Sequence, residues 1–93
     1  MNHIEAKELL AVEVAKYRKW SYADLVKLIE NPPGCVTVSG VSNAKYQIEV
    51  NAHRDAQPAG DVRVVGSIDD GGWRAFLPLS TSFTVSPDGS VVP

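Results

Sequence analysis

Residues 44–52, AKYQIEVNA, decide how this chain folds, because apolar and polar side chains alternate along the whole stretch. Successive side chains of a strand point to opposite faces, so a period of two predicts a strand with one buried and one solvated face. The buried face carries Ala44, Tyr46, Ile48, Val50 and Ala52. A strand of this kind is typical of an antiparallel sheet that is covered on one side.

Shorter stretches of the same period flank this strand. Val36 and Val38 predict a strand before it, joined through residues 40–43, and the alternation of Val62, Val64, Gly66 and Ile68 predicts one after it. Residues 55–60 form a loop by composition. Further strands are expected at 73–79, at 83–85 and at 90–92, the last after a type I turn at Ser86-Pro87-Asp88-Gly89.

The first third of the chain has helical periodicity. Ala6, Leu10, Val14 and Tyr17 form one uncharged stripe, which predicts a helix over about 3–19. The cations of Lys16-Tyr17-Arg18-Lys19-Trp20 are expected at its C-terminal end, with the aromatic residues turned to the core. Ser21 with Asp24 is typical of a capped helix start, and Asn31-Pro32-Pro33-Gly34 ends that second helix, over about 21–30.

Together these patterns predict an α+β fold in a single domain that spans residues 1–93. Two N-terminal helices are expected to pack on one face of an antiparallel β-meander of about five short strands, with the sheet over about 35–92. A chain of 93 residues is close to the common size of one domain, and it has little room for a large cavity.

The charge and the cysteine content narrow the function. The net charge is −2, and the basic residues are scattered, which weighs against nucleic acid because phosphate neutralisation needs a concentrated basic surface. A single cysteine, Cys35, permits no internal disulfide. No apolar run reaches the length of a membrane span, and the N-terminus does not resemble a signal peptide. We therefore expect a cytoplasmic protein without membrane contact.

The segment Asp69-Asp70-Gly71-Gly72 is interpreted as a structural turn. A two-residue loop at Asp70-Gly71 pairs Ile68 with Trp73 and Val64 with Leu77, and a loop at Gly71-Gly72 pairs Ile68 with Ala75 and Asp69 with Arg74. Both loops keep the apolar faces consistent, so the choice between them stays open. A calcium site is less favoured because the residues after Gly72 supply no acidic ligand, and no metal is expected.

Four apolar residues are predicted to form interaction surface. Leu9 and Val12 lie off the buried stripe of the first helix, toward Glu5, Glu13 and Lys16. Val65 and Phe76 point away from the core in the predicted hairpin. A contiguous exposed apolar patch commonly marks an interaction site. The alternative for Val65 and Phe76 is that a terminal segment covers them.

Catalytic motifs are sparse. His53 and Asp55 are the candidates for an alternative active site, because an ordered imidazole titrates near neutral pH. The sequence contains neither a nucleophile elbow nor a phosphate-binding glycine loop, and no cofactor is expected. Cys35 is expected to be a buried small apolar residue and not a catalytic thiolate.

The segment GSIDDGGWRAFLPL, residues 66–79, followed by Phe83 and by SPDGS at 86–90, resembles a family of short bacterial proteins with no established activity. In that family a helix similar to YADLV, residues 22–26, and a strand similar to KYQIEV, residues 45–50, precede the hairpin. The resemblance covers most of the chain from Ser21 to Ser90. It implies a compact bacterial domain and transfers no catalytic residue.

The function expected from these observations is that of a small non-enzymatic cytoplasmic protein-binding or accessory domain, of the size of immunity-type proteins. The expected partner is another protein or a second copy of the chain. The alternative is a small hydrolase or ligand-binding enzyme that uses His53 and Asp55.

Overall fold

Five strands form one antiparallel sheet, in which the strand order is the same as the order along the chain. The structure is a computed structural model that describes residues 2–55, 60–70 and 79–92. Two helices precede the sheet, so the α+β fold and the meander predicted from the sequence are confirmed. The elements are α1 (His3–Tyr17), α2 (Tyr22–Glu30), β1 (Cys35–Ser39), β2 (Lys45–Arg54), β3 (Val62–Asp69), β4 (Leu79–Val85) and β5 (Val91–Val92).

The alternation along β2 and β3 has the predicted consequence. Every second residue of β2 from Tyr46 to Ala52 is buried, and the residues between them are exposed. In β3 the buried set comprises Val62, Val64, Gly66 and Ile68. The register places Ile48 opposite Ile68, so the buried residues of the two strands share one face. Both helices pack on the sheet from that face, and they contact the sheet more than they contact each other.

The predicted pairing of β3 with residues 73–79 is wrong. Ile68 lies opposite Leu79 and Val64 lies opposite Phe83, and β2 occupies the other edge of β3. A two-residue loop at 70–71 or 71–72 is incompatible with this register. The prediction failed because a shift by any even number of residues also keeps the faces consistent. Residues 71–78, which include Trp73, Arg74 and Phe76, lie outside the described part of the chain.

Each helix begins after a capping side chain, of which the Ser21 cap was predicted from the sequence. The Asn2 side chain accepts a hydrogen bond from the Glu5 amide at 3.1 Å, and the Ser21 hydroxyl accepts one from the Asp24 amide at 3.1 Å. Each side chain thereby satisfies one of the amides that a helix start leaves unpaired. Helix α1 ends at Tyr17, two residues before the predicted end, and α2 ends at Glu30 as predicted.

Only part of the aromatic cluster after α1 turns to the core. Tyr17 is buried, whereas Trp20 is 41% exposed and contacts Tyr17 in a tilted arrangement, with ring centroids 4.7 Å apart and an angle of 48° between the ring planes. The expectation that Trp20 faces the core is therefore wrong. The Arg18 guanidinium lies 4.8 Å from the centroid of the Phe83 ring, which is a cation–π distance.

Among the described residues, Asn43, Gly34, Gly60 and Gly89 have positive φ, and the first and last of these lie in tight turns that join neighbouring strands. Asn43 has φ 65° in the β1–β2 turn, a conformation that asparagine tolerates better than most residues. Gly89 has φ 90° at the fourth position of the turn at 86–89, whose closing hydrogen bond runs from the Gly89 amide to the Ser86 carbonyl at 2.8 Å. The turn predicted there is confirmed.

Helix α1 packs tightly against the sheet at Gly66. A Cβ atom at this position would lie 2.5 Å from Cγ2 of Val14 and 3.2 Å from Cδ1 of Leu10. These distances are shorter than van der Waals contacts between carbon atoms. A glycine in the middle of β3 is therefore explained by packing, since it lets the stripe of α1 reach the backbone of the sheet.

We expect Gly66→Ala to lower the free energy of unfolding by about 1–3 kcal/mol, because the added methyl group overlaps Val14 in a closed core. The combination with Val14→Ala removes the overlapping atom. The double variant should therefore lose less stability than the sum of the two single variants, as measured by urea denaturation of all four proteins. Additive losses would show that α1 does not rest on Gly66.

Candidate interaction surface

A groove of about 240 Å³ runs between α1 and the turn that joins β1 to β2. Val12 of α1 is 64% exposed and Val41 of the turn is fully exposed, whereas Leu9 is half-buried. The groove lining comprises Glu5, Glu8, Leu9, Val12, Ser39, Gly40 and Val41. The structure thus places Leu9 and Val12 together beside a third exposed apolar side chain.

The exposure of Val12 follows from the rotation of α1 about its axis. The buried stripe of α1 comprises Ala6, Leu10, Val14 and Tyr17, as the periodicity predicted. Leu9 and Val12 flank this stripe, so they lie at the edge of the contact between helix and sheet. A helix whose apolar residues spread beyond the buried stripe offers apolar surface to solvent or to a partner.

The first turn of α1 is held to the sheet by a buried carboxylate. Glu5 is 9% exposed, and its carboxylate accepts hydrogen bonds from the hydroxyl groups of Ser42 at 2.8 Å and Tyr46 at 2.9 Å. The Ser42 amide donates a third hydrogen bond at 3.3 Å. Because a buried charge is tolerated only when it is hydrogen-bonded, these contacts explain why an acidic residue lies here. They also fix one wall of the groove.

The same contacts change two pKa values in opposite senses. Hydrogen bonds from Ser42 and Tyr46 hold the pKa of Glu5 below its usual value, and this effect exceeds that of burial. Burial raises the pKa of Tyr46, and the nearby Glu5 carboxylate raises it further. At neutral pH the pair therefore consists of an ionised acceptor and a neutral donor.

Gly40 leaves the space that the Glu5 carboxylate occupies. A Cβ atom on Gly40 would overlap that carboxylate. The sequence interpretation did not include Glu5 or Gly40 in any site, since it assigned Glu5 to the polar flank of the helix. The feature of the sequence that could have indicated this contact is Tyr46. It lies on the buried face of β2, and its hydroxyl group needs a hydrogen-bond partner there.

A second hollow, of about 280 Å³, lies beside α2 and is lined by Trp20, Asp24, Lys27, Leu28, Asn31 and Pro33. The exposed indole of Trp20 forms part of its apolar wall. This hollow was not predicted from the sequence, because Trp20 was expected to face the core.

The other residues of the predicted interaction surface are not joined to the groove. Val65 is partly exposed on the opposite face of the sheet, between Asn51 on β2 and Ser82 on β4. Phe76 lies outside the described residues, so its place in an interaction surface stays a prediction, but Ser82 and not Phe76 lies opposite Val65. Asp69 is the last residue of β3 and Asp70 follows it, whereas Gly71 and Gly72 lie outside the described part.

The residues of the alternative active site lie at the other end of the sheet. His53 is exposed on β2, opposite Arg63 of β3. The Asp55 carboxylate is 3.5 Å from Nε of Arg63. Within the residues that the structure describes, Asp55 is thus paired with Arg63, and the arrangement does not use Asp55 to orient the His53 ring.

Cys35 is exposed, so the expectation of a buried cysteine is wrong. It is the first residue of β1, where Val36 and Val38 lie opposite the buried residues Ile48 and Tyr46. The alternation therefore places Cys35 on the other face of the sheet, with Thr37 and Ser39.

Across residues 2–55, 60–70 and 79–92, no group of three or more His, Cys, Asp or Glu side chains is arranged to hold a metal ion. Neither described helix is long and apolar enough to cross a membrane.

Comparison of the chain with protein-family models, curated proteins and solved structures finds no match. The resemblance of residues 66–90 to a family of short bacterial proteins therefore stays a prediction.

We expect Glu5→Gln to lower the melting temperature at pH 7, because a neutral amide is a weaker acceptor than a carboxylate and its NH2 group would face at least one of the donors that bind the two carboxylate oxygens. The depressed pKa of Glu5 stabilises the fold above the unfolded value of 4.5, and this contribution is lost as the pH falls through the folded value. The difference between variant and wild type should therefore shrink from pH 7 to pH 3.

The matched control is Glu8→Gln, an exposed position on the same helix that also lines the groove. This substitution should change the melting temperature little at any pH. A Glu5→Gln difference that stayed constant on acidification would contradict the ionised, hydrogen-bonded carboxylate.

Proposed function

We propose that this protein is a small, non-enzymatic protein-binding domain, and that the groove beside α1 receives an apolar side chain of its partner. The observation that carries the proposal is the exposure of Val12 on α1 and of Val41 on the β1–β2 turn, which line one groove together with the half-buried Leu9. Single exposed apolar residues are normal, but residues that converge on one concave surface are typical of binding sites.

The construction of the groove supports the proposal. Glu5 joins the first turn of α1 to the β1–β2 turn, so the two rims are held at a fixed separation by buried hydrogen bonds. A site on rigid elements loses less conformational entropy on binding than a site on a loose loop. Glu8, which is exposed on the same flank of α1, adds a negative charge at the rim and favours a partner with a basic residue beside its apolar anchor.

The composition of the chain supports a binding role more than a catalytic one. The candidate acid and base residues His53 and Asp55 lie on an exposed end of the sheet, and the sequence carries no nucleophile motif beside them. We propose a cytoplasmic accessory or immunity-type domain of a bacterium, because the chain is small and the motif at residues 66–90 resembles proteins of that origin.

The proposal predicts that Val12→Glu weakens the capture of a partner at least tenfold, about 1.4 kcal/mol, because a carboxylate would replace an apolar contact. The immobilised wild-type protein and the variant are compared on one bacterial lysate by quantitative mass spectrometry, and the Kd of any enriched protein is then measured with purified components.

The matched control is Ala15→Glu, which adds the same charge at an exposed position of α1 that does not line the groove. This variant should retain the partner. If both variants or neither variant lost the same proteins, the groove would not be the binding site. Circular dichroism of both variants verifies that α1 is intact.

A further inference from the structure

Strand β1 is the terminal strand of the sheet, and among the described residues it pairs only with β2. Its sequence, CVTVS, contains no charged residue and no proline, and all its residues are exposed or half-exposed. Natural proteins usually protect a terminal strand with a charge, a proline, a bulge or a cover, because unpaired amides and carbonyls invite another strand. The opposite terminal strand, β5, has only two residues and offers much less backbone.

The unpaired backbone groups of β1 can be assigned from the turn that follows it. The Gly40 amide donates to the Ala44 carbonyl at 2.9 Å, so this pair is hydrogen-bonded. Hydrogen-bonded and non-bonded pairs alternate along an antiparallel ladder, so Val38 and Val36 direct their backbone groups toward β2. The amides and carbonyls of Cys35, Thr37 and Ser39 therefore point away from the sheet.

The side chains of β1 also indicate a continuing sheet. Val36 belongs to the face that the helices cover, opposite the buried residue Ile48, yet it is 39% exposed. Its exposure arises because the described part of the sheet ends at β1. A further strand beyond β1 would place a neighbour beside Val36 and would remove this apolar surface from water.

We propose that β1 pairs with β1 of a second copy of this chain, antiparallel and about a two-fold axis at Thr37, to form one continuous sheet through both copies. Side-chain faces match only when the numbers of the two facing residues have an even sum. Among these registers, the one centred on Thr37 pairs all the residues of β1. It sets Thr37 opposite itself, Val36 opposite Val38 and Cys35 opposite Ser39.

A second copy fits this edge because its valines pair with valines and no like charges face each other. Both valines of each β1 meet a valine on the helical face, which is the pairing that a buried face favours. On the other face, β2 places Glu49 beside Cys35 and Lys45 beside Ser39. The two-fold axis therefore puts Glu49 of one copy and Lys45 of the other at the two ends of each cross-strand row.

The separation of these charges limits what they contribute. Three steps of about 4.8 Å separate them, roughly 14 Å, which exceeds the Debye length of about 8 Å at physiological salt. Glu49 and Lys45 therefore add little to the affinity of the dimer. Their opposite signs mean only that this register creates no repulsion between the two copies. A contact between two short strands is small for a protein interface, so the dimer should dissociate on dilution.

The first test is sedimentation equilibrium of the wild-type chain and of Thr37→Lys over a range of concentrations. The wild type should approach twice the monomer mass at high concentration. Thr37→Lys should stay monomeric, because the axis would place two ammonium groups directly opposite each other. Ser82→Lys, which adds the same charge at an exposed position of β4, should dimerise like the wild type.

The second test locates the axis. In a Cys35→Ser background, Thr37→Cys should be linked into a covalent dimer by a short bismaleimide, because each thiol would face its own copy. Ser82→Cys in the same background should still dimerise but should not be cross-linked, because position 82 lies on β4, away from the axis. A wild type that is monomeric at every concentration, a Thr37→Lys variant that still dimerises, or equal cross-linking at positions 37 and 82 would each overturn the proposal.

The groove and the proposed dimer edge share Ser39, but Val12→Glu changes no residue of β1 and should not alter the monomer–dimer equilibrium. Circular dichroism and a melting temperature for Thr37→Lys show whether the monomer is folded, so a loss of dimer is not confused with a loss of structure.

Discussion

The position of α1 depends on the Glu5 carboxylate at its first turn. This group accepts hydrogen bonds from Ser42 and Tyr46, which lie about forty positions later in the chain. A buried carboxylate without donors would be strongly unfavourable, so the helix cannot rotate without losing these contacts. The rotation that satisfies Glu5 also buries Ala6 and Leu10, and it leaves Val12 at the flank. A polar constraint thus determines which apolar residues stay exposed.

A second constraint, at Gly66, fixes the depth of the same helix. The side chains of Leu10 and Val14 reach the backbone of β3 only because no Cβ atom lies there. Helix α1 is therefore held at its first turn by hydrogen bonds and at its middle by close packing. The two kinds of contact act on different properties, since hydrogen bonds fix rotation whereas packing fixes distance. The shape of the groove beside α1 therefore depends on the hydrogen bonds of Glu5 and on the packing at Gly66.

The sequence was sufficient for the elements whose residues repeat with one clear period. The alternation in residues 44–52 predicted β2 and its buried face, and Ser21 predicted the start of α2. The same periodicity predicted that Leu9 and Val12 lie off the buried stripe of α1, where they are half-buried and exposed respectively. The alternation of Val36 and Val38 also implies that Cys35 lies on the opposite, exposed face of β1, which contradicts the expectation of a buried cysteine.

Long-range relations were not predictable from periodicity. Strand β4 contains Ser80, Thr81 and Ser82, which resemble a loop by composition, so the strand was divided and its partner register was misplaced. The hydrogen bonds of Glu5 to Ser42 and Tyr46 join residues that are far apart in the sequence and that no local pattern connects. A buried tyrosine hydroxyl and a glycine at position 40 are weak signals singly, and only the fold shows that they meet at one carboxylate.

The order of the strands in the sheet has a consequence for the entropy of folding. Each strand pairs with its neighbour in the chain, so the hydrogen-bond ladder forms by closing short loops. The contacts of α1 with β3 and β4 close much longer segments. The topological cost of this fold is therefore concentrated in the docking of one helix, while the backbone pairing of the sheet is almost entirely local.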